Sequence, residues 1–201
     1  MATVRVLYGD VNPSGHLAET FPHKLSDNPS YLFYGGEKDN TDYREGIFVG
    51  YRYYDRKEMD VLFPFGHGLS YTTFEYTDFA LSADAMPSDG SVTASVKVTN
   101  TGKYDAKEIV QLYIKDVYSS MTRPVKELKG FRKVFIPAGE SVEVEFEITE
   151  DMLSWYYVDQ YNMSGQSGPI RPVKSVEPGE FDVMVGPCSD DVKTLTFNYV
   201  Q

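Results

Sequence analysis

The chain has 201 residues, of which 41% are hydrophobic and 24% charged, and this composition is typical of a folded protein of one or two domains. Its net charge of −11 makes nucleic acid and anionic membranes poor partners, because phosphate binding needs clustered Lys and Arg. Cys188 is the only cysteine, which excludes an intramolecular disulfide framework.

Neither a metal site nor a bound cofactor is indicated by the sequence. The three histidines, His16, His23 and His67, lack the spacing of a helical metal-binding motif. No apolar run is long enough to span a membrane. Residues 1–10 also lack the apolar core of a signal peptide, so the chain as written is expected to stay in the cytoplasm.

The segment before residue 72 is predicted to form an irregular N-terminal arm. A short strand is predicted at residues 4–8, whereas residues 18–44 contain prolines and a Gly-Gly pair and show no regular periodicity. Residues 47–54 are apolar on both faces, which predicts a strand or an extended segment covered on both sides. Residues 62–69 are apolar but interrupted by Pro and Gly, which predicts a buried extended linker.

From residue 72 onward, short alternating segments predict β-strands. Residues 142–148 are the clearest case, because apolar side chains alternate there with Glu143, Glu145 and Glu147, as in a strand with one solvated face. Similar patterns predict strands at 73–82, 92–99, 109–114, 131–136, 181–185 and 195–199. About seven short strands favour an antiparallel sandwich, and the lack of paired cysteines favours a fibronectin-III-like one over a true immunoglobulin domain. Glycines and prolines at 160–178 predict an exposed loop.

Six sequence motifs follow one another along the chain. They lie at residues 9–22 (GDVNPSGHLAETFP), 43–55 (YREGIFVGYRYYD), 62–74 (LFPFGHGLSYTTF), 98–102 (VTNTG), 123–131 (RPVKELKGF) and 137–140 (PAGE). In order and spacing they resemble the C-terminal portion of family-3 glycoside hydrolases, the group that includes β-glucosidases and β-xylosidases. His16 and Ala18 depart from the family's Asn-Pro-Ser-Gly-Lys-Leu-Pro pattern.

This resemblance implies a mainly β protein in two parts. Residues 1–71 would be a remnant of an α/β sandwich domain with its linker, and residues 72–201 the fibronectin-III-like β-sandwich. In the family, the nucleophilic Asp lies in a barrel domain and the acid/base Glu of many members in the α/β domain, and neither motif is present here. We therefore expect an accessory region of an enzyme that hydrolyses β-glycosidic bonds of oligosaccharides, inactive alone, with the parent's catalytic domains as its partners.

No catalytic residue is identified in the chain, because glycoside hydrolysis needs two carboxyl groups facing each other across the bond and no such pair stands out. Glu45, Arg52 and Asp55 are the candidates for lining or supporting the sugar cleft of the parent, with Asp60 as a further acidic candidate. The alternative is that these side chains stabilise the arm through ion pairs and hydrogen bonds. His67, among glycines, is expected to be a packed histidine.

Trp155, Tyr156 and Tyr157 indicate a possible sugar-stacking surface, although beside Met152 and Leu153 they also fit the core and edge of the sandwich. Two alternative functions therefore stay open, a carbohydrate-binding module and a protein-interaction domain, since the fold alone decides neither. A strand at residues 4–8, separated from its parent sheet, would have unpaired backbone groups. We expect it to pack back on the sandwich or to pair with a second copy.

Overall fold

The computed structural model describes residues 2–157 and 172–201. Its strands are β1 (Phe74–Leu81), β2 (Ala85–Pro87), β3 (Ser91–Asn100), β4 (Ala106–Asp116), β5 (Glu127–Ile136), β6 (Ser141–Thr149), β7 (Trp155–Tyr157), β8 (Val173–Ser175), β9 (Gly179–Gly186) and β10 (Lys193–Val200). One sheet has the order β1-β3-β6 and the other β2-β10-β9-β4-β5, and β7 pairs with β8 as a separate hairpin. Neighbouring strands are antiparallel apart from β2 and β10, so the mainly β sandwich fold is confirmed.

The core lies between the two large sheets and follows the alternation seen in the sequence. In β3 the side chains of Val92, Ala94, Val96 and Val98 are fully buried, and Val144, Phe146 and Ile148 of β6 face the same interior. The opposite sheet contributes Val110, Leu112, Ile114, Phe181, Val183, Val185, Phe197 and Tyr199. Because every second residue points inward, the apolar residues form one continuous core and the glutamates of β6 remain exposed.

The first element of the arm is a helix, so the predicted strand at residues 4–8 is wrong. Helix α1 spans Ala2–Leu7 and is closed by a hydrogen bond from the Tyr8 amide to the Val4 carbonyl oxygen at 3.0 Å. A strand needs a neighbouring strand for its backbone groups, and no described strand pairs with this segment, so a helical turn satisfies those groups internally. Its apolar side chains do not pack back on the sandwich, since Leu7 is 75% exposed.

The segment at residues 47–54 also differs from the sequence prediction, because its second half is helical. Helix α2 spans Tyr51–Lys57 and begins after Gly50, whose φ of 56° breaks the preceding chain. Tyr51, Tyr54 and Asp55 have the i, i+3, i+4 spacing that places side chains on one helix face. The run of aromatic residues that suggested a strand therefore reflects one buried helix face, while Ile47 and Val49 before the helix are exposed.

The linker at residues 62–69 differs in part from the predicted buried extended segment, because a turn at residues 65–66 interrupts it and only Gly66 is fully buried. Leu62 and Leu69 are exposed, and isolated bridges join Phe63 to Phe21 and Gly68 to His16. In the predicted loop at 160–178, residues 160–171 lie outside the described residues, and the remainder contains the short strand β8. The other helical elements are α3 (Glu150–Leu153) and a single 3-10 turn at Leu25–Asp27.

None of the helices in the described segments is long and apolar enough to cross a membrane.

The VTNTG motif at 98–102 anchors the junction between the linker and the two sheets. Asn100 is fully buried, and its amide nitrogen donates to the carbonyl oxygens of Tyr104 and Ile136 at 2.8 and 3.0 Å. Its side-chain oxygen accepts from the Thr72 hydroxyl at 2.5 Å and from the Gly102 amide at 3.2 Å. Each polar atom of this buried amide has a hydrogen-bond partner. The Asn100 side chain therefore fixes the position of Thr72, where the sandwich begins.

Candidate functional site

Among the places where the arm lies against the sandwich are two polar clusters, and the first is formed by helix α2 and the start of β5. Arg52 Nη2 is 3.0 Å from Glu127 Oε1, and Lys126 Nζ is 2.8 Å from Asp55 Oδ2. The Tyr51 hydroxyl accepts a hydrogen bond from the Leu128 amide at 2.8 Å. We call this the ionic contact.

Inside the sandwich, the ionic contact continues to a buried arginine. Arg123 Nη1 is 2.9 Å from Asp116 Oδ2 and donates to the Leu153 carbonyl oxygen at 3.0 Å, while Nη2 is 3.2 Å from Glu127 Oε2. Burial by itself would raise the pKa of Glu127, but the nearby charges of Lys129, Arg52 and Arg123 outweigh it and hold that pKa below its usual value. Glu127 therefore stays ionised and links the arm to the sandwich.

The second place is a buried polar cluster that we call the histidine contact, formed by His16, Gly66, Glu108, Gln111 and Pro187. His16 Nδ1 lies 2.6 Å from the Gly66 carbonyl oxygen and 3.1 Å from that of Pro187. The Gln111 amide nitrogen donates to both of these carbonyl oxygens, and its side-chain oxygen accepts from the Tyr113 hydroxyl at 2.6 Å. These hydrogen bonds therefore join β4 and the residue after β9 to two segments of the arm, one at His16 and one at Gly66.

Glu108 is the acidic member of the histidine contact, with its carboxylate buried between the arm and both sheets. The Tyr76 hydroxyl donates to Glu108 Oε1 at 2.9 Å, and His16 Nε2 lies 3.9 Å from Oε2. Burial raises the pKa of Glu108 to about 7, against the hydrogen bonds from Tyr76 and the Ile109 amide, which lower it. Burial likewise lowers the pKa of His16, although its hydrogen bonds to Gly66 and Pro187 oppose that shift.

The residues singled out from the sequence occupy three different places. Arg52 and Asp55 both lie in the ionic contact, which is consistent with their alternative assignment as groups that stabilise the arm. Glu45 lies half-buried in a turn before α2, and among the described residues its carboxylate has no ion-pair partner. His67 stacks on Phe63 with ring centroids 5.0 Å apart.

The aromatic residues of β7 do not form a single platform. The rings of Trp155 and Tyr157 lie 5.1 Å apart and are partly buried, whereas Tyr156 points to the opposite face and is 65% exposed. Whether these side chains bind sugar stays a prediction.

A cleft of about 540 Å³ runs along the boundary between the arm and the sandwich, beside the ionic contact. Asp55, Asp60 and Asp190 line it together with Lys126 and the buried Thr20. Lys126 neutralises Asp55, and burial raises the pKa of that carboxyl against the effect of the lysine. Across residues 2–157 and 172–201 no group of three or more His, Cys, Asp or Glu side chains could hold a metal ion. Both contacts join side chains of the arm to side chains or backbone of the sandwich.

The fold and these contacts define a class of protein, a β-sandwich accessory domain that carries a segment of a neighbouring domain on its surface. Two family models match different parts of the chain. The glycosyl hydrolase family 3 C-terminal domain matches residues 1–71, and the fibronectin type III-like domain matches residues 108–189.

Several proteins named as beta-glucosidases match nearly the whole of this chain. The thermostable beta-glucosidase B of Acetivibrio thermocellus is 50% identical over 191 residues, covering 95% of this chain and 24% of the relative. A solved structure of a Bifidobacterium adolescentis family-3 beta-glucosidase superposes with a TM-score of 0.86 at 39% identity, covering 98% of this chain and 27% of that one. A Kluyveromyces marxianus beta-glucosidase in complex with glucose gives a TM-score of 0.83 at 41% identity, covering 100% and 22%.

The chain belongs to glycoside hydrolase family 3 and corresponds to the C-terminal part of its β-glucosidases. It spans about a quarter of the length of the relatives it matches.

Proposed function

We propose that this chain serves as the C-terminal accessory region of a family-3 enzyme that hydrolyses β-glucosidic bonds of oligosaccharides. In this proposal, residues 1–71 complete an α/β domain and residues 72–201 form the sandwich that braces it. The observation that carries the proposal is the ionic contact, because it fastens α2 of the arm to the sandwich. The chain by itself is inactive in this proposal, because the barrel nucleophile and the acid/base group would come from the rest of the enzyme.

A chimera with the Acetivibrio thermocellus relative tests this function. The segment of the relative that matches this chain is replaced by the full 201-residue chain, and hydrolysis of an aryl β-glucoside is measured. We expect the chimera to be active, and both the relative without its C-terminal segment and the 201-residue chain alone to be inactive. Hydrolysis by the isolated chain that disappears when one of its own carboxylates is changed would contradict the proposal, as would a folded but inactive chimera.

The ionic contact provides a matched pair of variants for the same chimera. Glu127→Gln removes the charge that Arg52, Arg123 and Lys129 share, so we expect it to lower the free energy of unfolding by about 2 kcal/mol. Glu143→Gln, on the exposed face of β6, is expected to change it by less than about 0.5 kcal/mol. Urea unfolding followed by circular dichroism measures both values, and equal effects would show that the contact does not brace the arm.

Self-association through the arm is a further proposal for the isolated chain, supported by the exposed apolar side chains of Val4 and Leu7 on α1. We expect the chain to form dimers at high concentration and Leu7→Glu to return it to the monomer, as measured by sedimentation velocity. Leu62→Glu, at another exposed leucine of the arm, is the control. A chain that stays monomeric throughout would remove this proposal.

Binding of oligosaccharide to the exposed Tyr156 is proposed only as a secondary property and is measured by calorimetric titration with cello-oligosaccharides.

A further inference from the structure

The histidine contact contains a buried acid, and within residues 2–157 and 172–201 no lysine or arginine forms an ion pair with it. Glu108 occupies an inward position of β4, in step with Val110, Leu112 and Ile114, and its carboxylate is nearly closed off from solvent. Among the described residues His16 is the only basic side chain that forms an ion-pair contact with it, at 3.9 Å. A carboxylate at such a position is strongly disfavoured unless it is protonated or paired with a positive charge.

The hydrogen bonds of His16 determine which of its nitrogens faces Glu108. Nδ1 lies within hydrogen-bond distance of two carbonyl oxygens, those of Gly66 and Pro187, and a carbonyl oxygen only accepts. Nδ1 therefore carries a proton, and the neutral ring presents the lone pair of Nε2 to Glu108 Oε2. If Glu108 were also ionised, two acceptors would face each other in a buried space, so the pair needs one more proton.

We propose that Glu108 and His16 hold one proton between them, and that this proton fastens the linker of the arm to the sandwich. With the proton, the pair is either a neutral acid beside a neutral imidazole or a carboxylate beside an imidazolium 3.9 Å away, and in both arrangements the buried pair has no net charge. Without it, the buried charge of Glu108 at the contact between arm and sandwich is compensated by the hydrogen bonds from Tyr76 and the Ile109 amide, with no positive charge from His16.

Among the described residues, no other titratable group around the pair forms an ion pair with Glu108. The groups that face it from the surrounding elements are Tyr76 of β1, His67 of the linker, Lys107 of β4, Lys133 of β5, and Cys188 and Asp191 after β9. Burial raises the pKa of both Tyr76 and Cys188, so both remain neutral at neutral pH. Lys133 and His67 act on His16 and disfavour its charged form, which leaves the proton nearer to Glu108.

The two partners contribute opposite dependences on pH. The pKa of Glu108 is raised from 4.5 to about 7 when the contact is closed, so its contribution favours closure at low pH and is lost as the pH rises through 7. The pKa of His16 is lowered from 6.5, so its contribution favours closure at high pH and is lost as the pH falls below 6.5. Together they make closure less sensitive to pH than Glu108 alone would.

Replacing His16 by asparagine separates these contributions. His16→Asn keeps a donor at the place of Nδ1 and removes Nε2, so Glu108 is left to titrate alone. The opening constant of the contact is measured from hydrogen exchange of the Ser189 amide, which donates to the Phe65 carbonyl oxygen at 2.9 Å across the boundary. Rates are corrected for intrinsic exchange, and the amide of the buried Val96 in β3 reports global unfolding in the same sample.

Between pH 5 and pH 8 we expect the opening constant of His16→Asn to rise about 70-fold, from the raised pKa of Glu108 alone. The opening constant of the unchanged chain is expected to rise less, because the lowered pKa of His16 acts in the opposite direction. Glu108→Gln is expected to show no rise, since the remaining contribution of His16 favours closure at high pH. The proposal fails if His16→Asn and the unchanged chain have the same pH dependence. It also fails if carbon-13 and nitrogen-15 NMR of the unchanged chain at pH 6 show an ionised Glu108 beside a neutral His16.

Discussion

Replacing Gly66 by alanine is expected to lower the free energy of unfolding by about 4 kcal/mol, and replacing Gly139 by alanine to lower it by only about 1 kcal/mol. The two glycines have nearly the same backbone conformation, with φ of 81° and 79°. Their surroundings differ, since a Cβ on Gly66 would lie 2.1 Å from the side-chain oxygen of Gln111, whereas a Cβ on Gly139 would meet open space.

The Gln111 side chain has little freedom to move away from a new methyl group. Its amide nitrogen donates to the carbonyl oxygens of Gly66 and Pro187, and its oxygen accepts from the Tyr113 hydroxyl. A shift breaks several buried hydrogen bonds at once, in addition to the strain that any side chain has at positive φ. Gly139→Ala introduces the strain of a side chain at positive φ without a steric contact, so its loss of stability measures that strain alone. Urea unfolding of the two variants measures the difference, and equal losses would mean that the histidine contact adapts without cost.

Most of the sandwich could be predicted from the sequence, because its strands have one buried and one exposed face. The alternation at residues 92–99 and 142–148 directly reports side chains that point inward and outward. The arm could not be predicted in the same way. Residues 47–54 are rich in tyrosine, which favours a strand locally, but tertiary contacts with β5 select a helix with Tyr54 on its buried face.

The contacts between arm and sandwich were harder to predict than the fold. A charged residue at an inward position of an alternating strand is a visible signal, and Glu108 could have been found this way. Its partner could not, because His16 lies 92 positions earlier in a segment without periodicity, and only the fold brings them together. Arg123, Asp116 and Glu127 were missed for a different reason. Charged residues close together in a sequence usually indicate a solvated surface, whereas the fold buries these three side chains.

These missed residues lie in, or in contact with, two of the sequence motifs. The LFPFGHGLSYTTF stretch supplies Gly66, whose backbone lies on Gln111, and Gly68, where a Cβ would come within 2.4 Å of the His16 ring. The RPVKELKGF stretch supplies Arg123 and Glu127 of the ionic contact. Both motifs therefore serve to hold two structural parts together, and neither contributes a pair of carboxyl groups suited to hydrolysis.

The largest effect at the ionic contact is expected for Arg123→Met. Arg123 and Asp116 have side chains that are 10% and 4% exposed, and the guanidinium also donates to the Leu153 carbonyl oxygen. Removing the arginine leaves the Asp116 carboxylate buried without its partner, which is expected to cost about 4 kcal/mol of the free energy of unfolding. Thermal and urea unfolding of the purified chain measure this loss.

Two further variants separate loss of a charge partner from loss of packing. Asp116→Asn combined with Arg123→Met removes the uncompensated charge, so the double variant is expected to be about 2 kcal/mol more stable than Arg123→Met alone. Lys24→Met breaks the exposed pair with Asp27, at 3.7 Å, and is expected to cost less than about 0.5 kcal/mol because solvent screens that pair. If the double variant is no more stable than Arg123→Met, the arginine stabilises the sandwich through its aliphatic packing and its bond to Leu153, and the buried charge of Asp116 contributes little.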